Sequence, residues 1–137
     1  MSEGLFLDTS FVQAMLNRRD QYHSRAVTLA ARLRHERVLT TEAVITEIGN
    51  ALSSSDRAKA AAFIRGLYTT PNATVVTVTT SLLQQALSLY ESRLDKGWGL
   101  TDCISFIVME RESLRYALSS DRDFYQAGFV PLLLDQA

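Results

Sequence analysis

Four carboxylates in this sequence stand where a folded chain does chemistry: Asp8, Glu47, Asp102 and Asp121. Asp8 directly follows the apolar run Leu5-Phe6-Leu7, and Asp121 follows Tyr116-Ala117-Leu118 by way of Ser119-Ser120. Asp102 opens an otherwise apolar stretch behind Gly97-Trp98-Gly99, and Glu47 borders an apolar helical stripe between Val44 and Ala51. Singly, each has a plain structural use: Asp8 and Asp121 as helix caps, Asp102 as an acid at a helix N-terminus, Glu47 as a solvated flank. Together they resist that account, because four acids on buried or strand-end elements repel one another unless a cation gathers them. Hard oxygen donors without a histidine or cysteine partner suit Mg2+ or Mn2+ better than zinc. His23 and His35 fall in an arginine-rich stretch and read as surface residues, Cys103 has no evident histidine base, and no GxGxxG or Walker pattern occurs. Metal-assisted hydrolysis is the chemistry that remains.

The elements that must position these acids alternate in type. Leu5–Leu7 is too short for a helix and reads as a buried strand feeding a helix through the polar turn Asp8-Thr9-Ser10. A helix is expected over residues 21–34, a strand at Val38-Leu39, and a helix capped by Thr40 or Thr41 with Val44, Ile45, Ile48 and Leu52 inward. Asp56 should cap a further helix carrying Ala60, Phe63, Ile64 and Leu67, and the β-branched segment 73–78 is the clearest strand. A helix over 81–93 is expected to turn Leu82, Leu83, Ala86, Leu87 and Tyr90 inward. Thr101 is expected to cap the next helix, which runs through Met109. Residues 116–118 and 130–134 form the last strands, Pro131 marking an edge. Strands separated by helices imply a parallel sheet of four to five strands covered on both faces, a three-layer α/β/α domain spanning 1–137. Ligands in such sheets sit beyond the carboxyl ends of the strands, where strand order reverses.

Composition excludes several alternatives. At 137 residues, 47% hydrophobic and 21% charged, the chain reads as one ordinary globular unit. Its net charge of -1 gives no global field for a polyanion, yet Arg18, Arg19, Arg25, Arg32, Arg34 and Arg37 form a local basic surplus. Arginine outnumbers lysine twelve to two, which favours phosphate or carboxylate recognition. One cysteine permits no internal disulfide. Met1 to Gly4 lacks the basic region of a signal peptide, and no run approaches the length of a membrane span, so a cytoplasmic protein is expected.

The segments Leu7-Asp8-Thr9-Ser10-Phe11, Thr46-Glu47-Ile48-Gly49-Asn50-Ala51-Leu52, Trp98-Gly99-Leu100-Thr101-Asp102-Cys103 and Ser120-Asp121-Arg122-Asp123-Phe124, with Ala127-Gly128-Phe129, follow the order found in PIN-domain ribonucleases. From Leu5 to Leu134 the chain resembles the VapC-like toxins of toxin–antitoxin pairs. The resemblance implies a PIN fold, an acidic pocket of Asp8, Glu47, Asp102 and Asp121, and Mg2+-dependent endoribonuclease cleavage of a structured RNA, such as a tRNA anticodon loop or a ribosomal RNA loop. It also implies a cognate antitoxin and a homodimer.

On this reading Asp8, Asp102 and Asp121 hold the metal while Glu47 orients a water, and Arg18, Arg19 and Arg25 hold flanking RNA phosphates. Thr9, Ser10 and Ser119 would steady the acids by hydrogen bonds. Glu42 competes with Glu47, Asp123 competes with Asp121 or supports it, and Asp95 is a candidate outer acid. Two other classes stay in view. A receiver-type signalling module wants adjacent acids after the first strand and a lysine at the last, whereas Thr9 follows Asp8 and the only lysines are Lys59 and Lys96. A catalytically idle PIN-like interaction domain would not need all four acids.

Overall fold

The structure, a computed structural model, describes residues 4–135, so the outer ends of the expected 1–137 unit and most of the Met1 to Gly4 leader reading lie outside the described residues. Leu5–Leu7 forms β1, with all three side chains buried, as expected of a short apolar run covered on both faces. Then come β2 (Val38–Thr41), β3 (Ala73–Val76), β4 (Tyr116–Leu118) and β5 (Val130–Pro131), every pairing parallel, in the order β3-β2-β1-β4-β5. The chain builds outward from β1 through β2 and β3, then returns to lay β4 on the other side of β1. Strand order therefore reverses between β1 and β4, and there the connections leaving the strand ends part to open a crevice.

Between the strands run α1 (Thr9–Leu16), α2 (His23–Arg32), α3 (Glu42–Ala51), α4 (Arg57–Thr69), α5 (Thr80–Ser92), α6 (Leu100–Arg111) and α7 (Asp123–Gln126). Alternation along β1 sorts them into two layers. Leu7 lines an apolar cavity of 160 Å³ with Phe11 and Met15 of α1, Ala30 of α2, and Phe63 and Leu67 of α4. Phe6 meets Phe124 of α7 at 6.5 Å between ring centroids, and Phe124 meets Phe106 of α6 edge-on at 5.1 Å. Trp98 abuts Phe106 at 5.0 Å, and α5 packs against α6.

Local bonds settle the open boundaries. Thr41, not Thr40, caps α3 by accepting from the Val44 amide, while the Thr40 hydroxyl donates to the Leu7 carbonyl across the sheet. Asp56 caps α4 as expected, and Thr79 caps α5 one residue earlier than the expected start. Thr101 is not a cap: α6 starts at Leu100 behind Gly99, whose amide donates to the Asp102 carboxylate. The third strand stops at Val76, and the Val78 amide donates to Glu42, so that acid ties α3 to the chain after β3. The last strand stops at Pro131, because the Leu134 amide turns back onto the Pro131 carbonyl. Helix α2 is shorter than residues 21–34. His23 is half-buried rather than on the surface, with Nδ1 against the Ala14 carbonyl at 2.8 Å.

The largest correction concerns α5. Leu82 and Ala86 are buried, but Leu83, Leu87 and Tyr90, expected inward, are 40%, 46% and 48% exposed. Cys103 is free and wholly buried, packed as a small hydrophobe.

Phe124 is fully buried and carries α7 against both β1 and α6. Phe124→Ala should cost about 3–5 kcal/mol in urea unfolding, the range for emptying a buried aromatic site. A loss under ~1 kcal/mol would mean that the aromatic cluster does not hold this layer together.

Candidate active site

Asp8 leaves β1 at the switch point and is 5% exposed. It occupies the N-cap position of α1 but makes no capping bond. Its Oδ2 instead accepts from the Ser119 hydroxyl at 2.7 Å and the Ser10 hydroxyl at 2.9 Å, so the cap explanation fails. The same two serines carry the loop after β4: Ser10 Oγ accepts from the Ser120 amide and Ser119 Oγ from the Asp121 amide. Burial pushes the Asp8 carboxyl above its ordinary range; the two serine bonds oppose this, and the charges of Asp121 and Glu47 add to the rise.

Asp102 sits in the first turn of α6 and spends one oxygen on the Gly99 amide at 3.0 Å. Its carboxyl is nevertheless pushed up to about 7, chiefly by burial, with Asp121, Asp8 and Asp123 adding to the effect against the Gly99 bond. Asp121 Oδ1 accepts from the Asp123 amide at 2.9 Å, a short bridge that begins α7. Carboxylate oxygens of Asp102, Asp121 and Asp123 lie within 4.8 Å of one another. Two ligands of one Mg2+, each at ~2.1 Å, span at most about 4 Å, so small side-chain movements bring this trio around one ion. The donor set, all hard oxygen, fits Mg2+ or Mn2+.

Glu47 stands on the exposed side, held by a 2.6 Å bond from the Thr9 hydroxyl. The structure brings these four acids to one edge, Glu47 through its charge on Asp8, with Thr9 bonded to Glu47 and Ser10 and Ser119 bonded to Asp8. Asp123 goes beyond the supporting place that its sequence suggested, since its carboxylate joins Asp102 and Asp121. The signal was its spacing: two residues beyond Asp121 across a strand-to-helix turn. Burial raises the Asp123 carboxyl, Asp121 raises it further, and Lys96 opposes both. Lys96, which sequence patterning did not single out, is therefore a cation at the rim.

Other candidates lie elsewhere. Asp95 is exposed and bound by Nε and Nη2 of Arg93 at 3.0 and 3.1 Å, which holds its carboxyl down at about 2. It does not reach the acidic group. Arg18 and Arg19 are exposed beyond the far end of α1, an eight-residue helix of about 12 Å. Arg25 donates to the Leu132 and Asp135 carbonyls and so pins the chain after β5.

Asp102 fixes the sign of a pH effect. With its carboxyl near 7 in the fold and 3.8 as reference, the folded chain keeps a proton that the unfolded chain releases. The stability it lends is full below about pH 4 and lost as pH rises through about 7. In chelator, the melting temperature should fall across that window, and Asp102→Asn should flatten the fall. A profile unchanged in Asp102→Asn would assign the effect to another group.

The PIN domain family matches residues 5–130. The 23S rRNA-specific endonuclease VapC20 of Mycobacterium tuberculosis is 30% identical over 126 residues, which cover 92% of this chain and 95% of that protein. The crystal structure of VapC20, described as a sarcin-ricin loop cleaving toxin, matches with a TM-score of 0.83 at 29% identity, covering 92% of this chain and 96% of that one. Sequence and overall fold agree over nearly the whole length, and the chain belongs to the PIN-domain family, among its VapC-like members.

Proposed function

We propose that this chain, as one nuclease unit over residues 1–137, is a Mg2+- or Mn2+-dependent endoribonuclease that cuts a structured ribosomal RNA loop as the toxin of a toxin–antitoxin pair in the cytoplasm. The observation that carries the reading is the convergence of Asp102, Asp121 and Asp123 beside buried Asp8 at the point where strand order reverses. A bound divalent ion would supply charge to the phosphate and acidify a water. Asp102, Asp121 and Asp123 would hold it, with Asp8 contributing through its free oxygen. Glu47, which accepts a hydrogen bond from Thr9, would orient the attacking water and accept its proton. In-line attack would leave a 5′-phosphate and a 3′-hydroxyl. Ribosomal RNA is favoured over tRNA because the relative that matches over most of this chain is named for 23S rRNA.

Incubation with ribosomal RNA and, separately, tRNA, with and without chelator, tests this directly. Cleavage should require metal and fall at least ~100-fold in Asp102→Asn and Asp123→Asn, more than the 10- to 100-fold typical of residues that only support a metal ligand. Asp95→Asn should cut normally. Full activity in Asp102→Asn would remove that residue from the centre, and no metal-dependent cleavage by the unaltered chain would leave an idle interaction domain.

A homodimer is part of the proposal, and α5 supplies its surface. Leu83, Leu87 and Tyr90 form one stripe on the outer side of the helix, continued by Leu94, which is 92% exposed. Such a contiguous apolar face is what a subunit contact covers. Sedimentation at micromolar concentration should show a dimer, and Leu87→Glu should make it a monomer. A monomeric unaltered chain would refute the assignment.

A further inference from the structure

Beside the acidic group, on the same edge of the sheet, lies a cleft of 520 Å³ lined by Tyr22, Arg122, Tyr125, Gln126, Leu133 and Leu134. We propose that this cleft is a nucleobase subsite, taking one unpaired base of the RNA next to the phosphate held at the acidic centre; the inference rests on the ribonuclease reading above. Position is the first argument. Arg122 lies between Asp121 and Asp123 in the chain, and neighbouring Cα atoms are about 3.8 Å apart. The carboxylates of its two neighbours meet Asp102, whereas Arg122 lines the cleft. An RNA strand with a phosphate over the acids therefore has its adjacent nucleotide at the cleft mouth.

Chemistry is the second argument. Among the described residues no carboxylate lines the cleft, although carboxylates dominate the edge next to it. Its one charge is a guanidinium that, among the described residues, makes no ion pair, and so is available to a phosphate oxygen. Two tyrosines from separate elements enter it, Tyr22 ahead of α2 and Tyr125 in α7 with 46% of its surface exposed, while the fully packed Leu133 gives an apolar floor. Tyrosine rings bind unpaired bases by stacking with little regard to sequence, because every base has a π-face. Gln126 adds a preference. Its carbonyl oxygen already accepts from the Trp98 indole at 3.2 Å, which leaves the amide NH2 to donate toward a carbonyl on a base edge. A cleft with a cation, two aromatic rings, an amide donor and a dry floor matches a nucleotide better than a metal, a lipid or an acidic peptide.

The test measures binding, not cleavage. Fluorescence anisotropy, with Ca2+ in place of Mg2+, compares a labelled single-stranded RNA of mixed sequence with a ribose-phosphate oligomer of equal length that lacks its bases. The unaltered chain should prefer the base-bearing RNA by about tenfold or more, the scale of one stacked base. Tyr125→Ala should remove most of that preference and Tyr125→Phe keep it. Arg122→Ala should weaken both oligomers alike and flatten the salt dependence by about one phosphate contact. Tyr22→Ala should act like Tyr125→Ala; if half-buried Tyr22 proves necessary for folding, the exposed Tyr125 pair decides alone. Equal binding of both oligomers by the unaltered chain, or a preference that survives Tyr125→Ala, overturns the subsite and leaves the cleft to another ligand such as a protein segment. The two readings fail separately: a chain that cuts RNA yet ignores the bases loses only the subsite, and one that prefers bases but never cuts loses only the nuclease.

Discussion

Mutual repulsion among carboxylates in a partly desolvated crevice is the constraint on which this structure depends. Asp8, Asp102 and Asp123 all have carboxyls raised by burial and by each other or by Asp121. Such an arrangement persists only if the fold holds each acid in place more firmly than the charges drive them apart. The restraints are short and local: two serine hydroxyls on Asp8, the Gly99 amide on Asp102, the Asp123 amide on Asp121 and the Thr9 hydroxyl on Glu47. Each uses one oxygen and leaves the carboxylate a second. The crevice is thus organised to bind a cation before any cation enters, so less reorganisation opposes binding.

Those restraints act from three separate parts of the sheet and so depend on how the layers pack. Ser10 and Ser119 are far apart in sequence but adjacent across the β1–β4 pair, and their shared contacts turn the loop after β4 toward Asp8. On the other face, Trp98 joins the turn before α6 to α7 through Gln126, and its ring continues the stack that runs through Phe106 to Phe124. Asp102 rides on the first of these elements and Asp123 on the second. The distance between these two acids is therefore set by apolar packing below them rather than by the acids themselves.

Much of this was legible in the sequence, because short apolar runs followed by acids mark strand ends in a parallel sheet. Both faces of β1 must be covered, so Leu5–Leu7 could be read as a strand and Asp8 as its exit. What was not legible had physical causes. In α5, Leu82 and Ala86 share one stripe while Leu83, Leu87 and Tyr90 share another, about 100° around the helix. Periodicity reveals both stripes but not which one meets α6. Asp123 was obscured for another reason: whether an acid two residues past Asp121 points into the crevice depends on the turn between them, and that turn is closed by the Asp123 amide donating to the Asp121 carboxylate. Arg25 looked like a phosphate contact because its partners, carbonyls at Leu132 and Asp135, are remote in sequence and carry no charge to betray them.

The small net charge then acquires a reason. A surface basic enough to seize RNA by itself would also neutralise the crevice and compete with the divalent ion, whereas a purely acidic edge would repel every phosphate. Here the acids are concentrated at the switch point, and two cations stand beside them, Lys96 close enough to lower the Asp123 carboxyl and Arg122 between two of the acids in sequence, whereas Arg18 and Arg19 lie beyond the far end of α1. At physiological ionic strength charges are screened over about 8 Å, so these groups act mainly on whatever already touches the edge. In the proposed nuclease, capture of a strand and binding of a metal would therefore support each other: the phosphate would bring negative charge for the metal to offset, and the metal would offset the acids that otherwise expel the phosphate. In the proposed nuclease, the juxtaposition of the acids with Lys96 and Arg122 at one sheet edge is what would couple the two events.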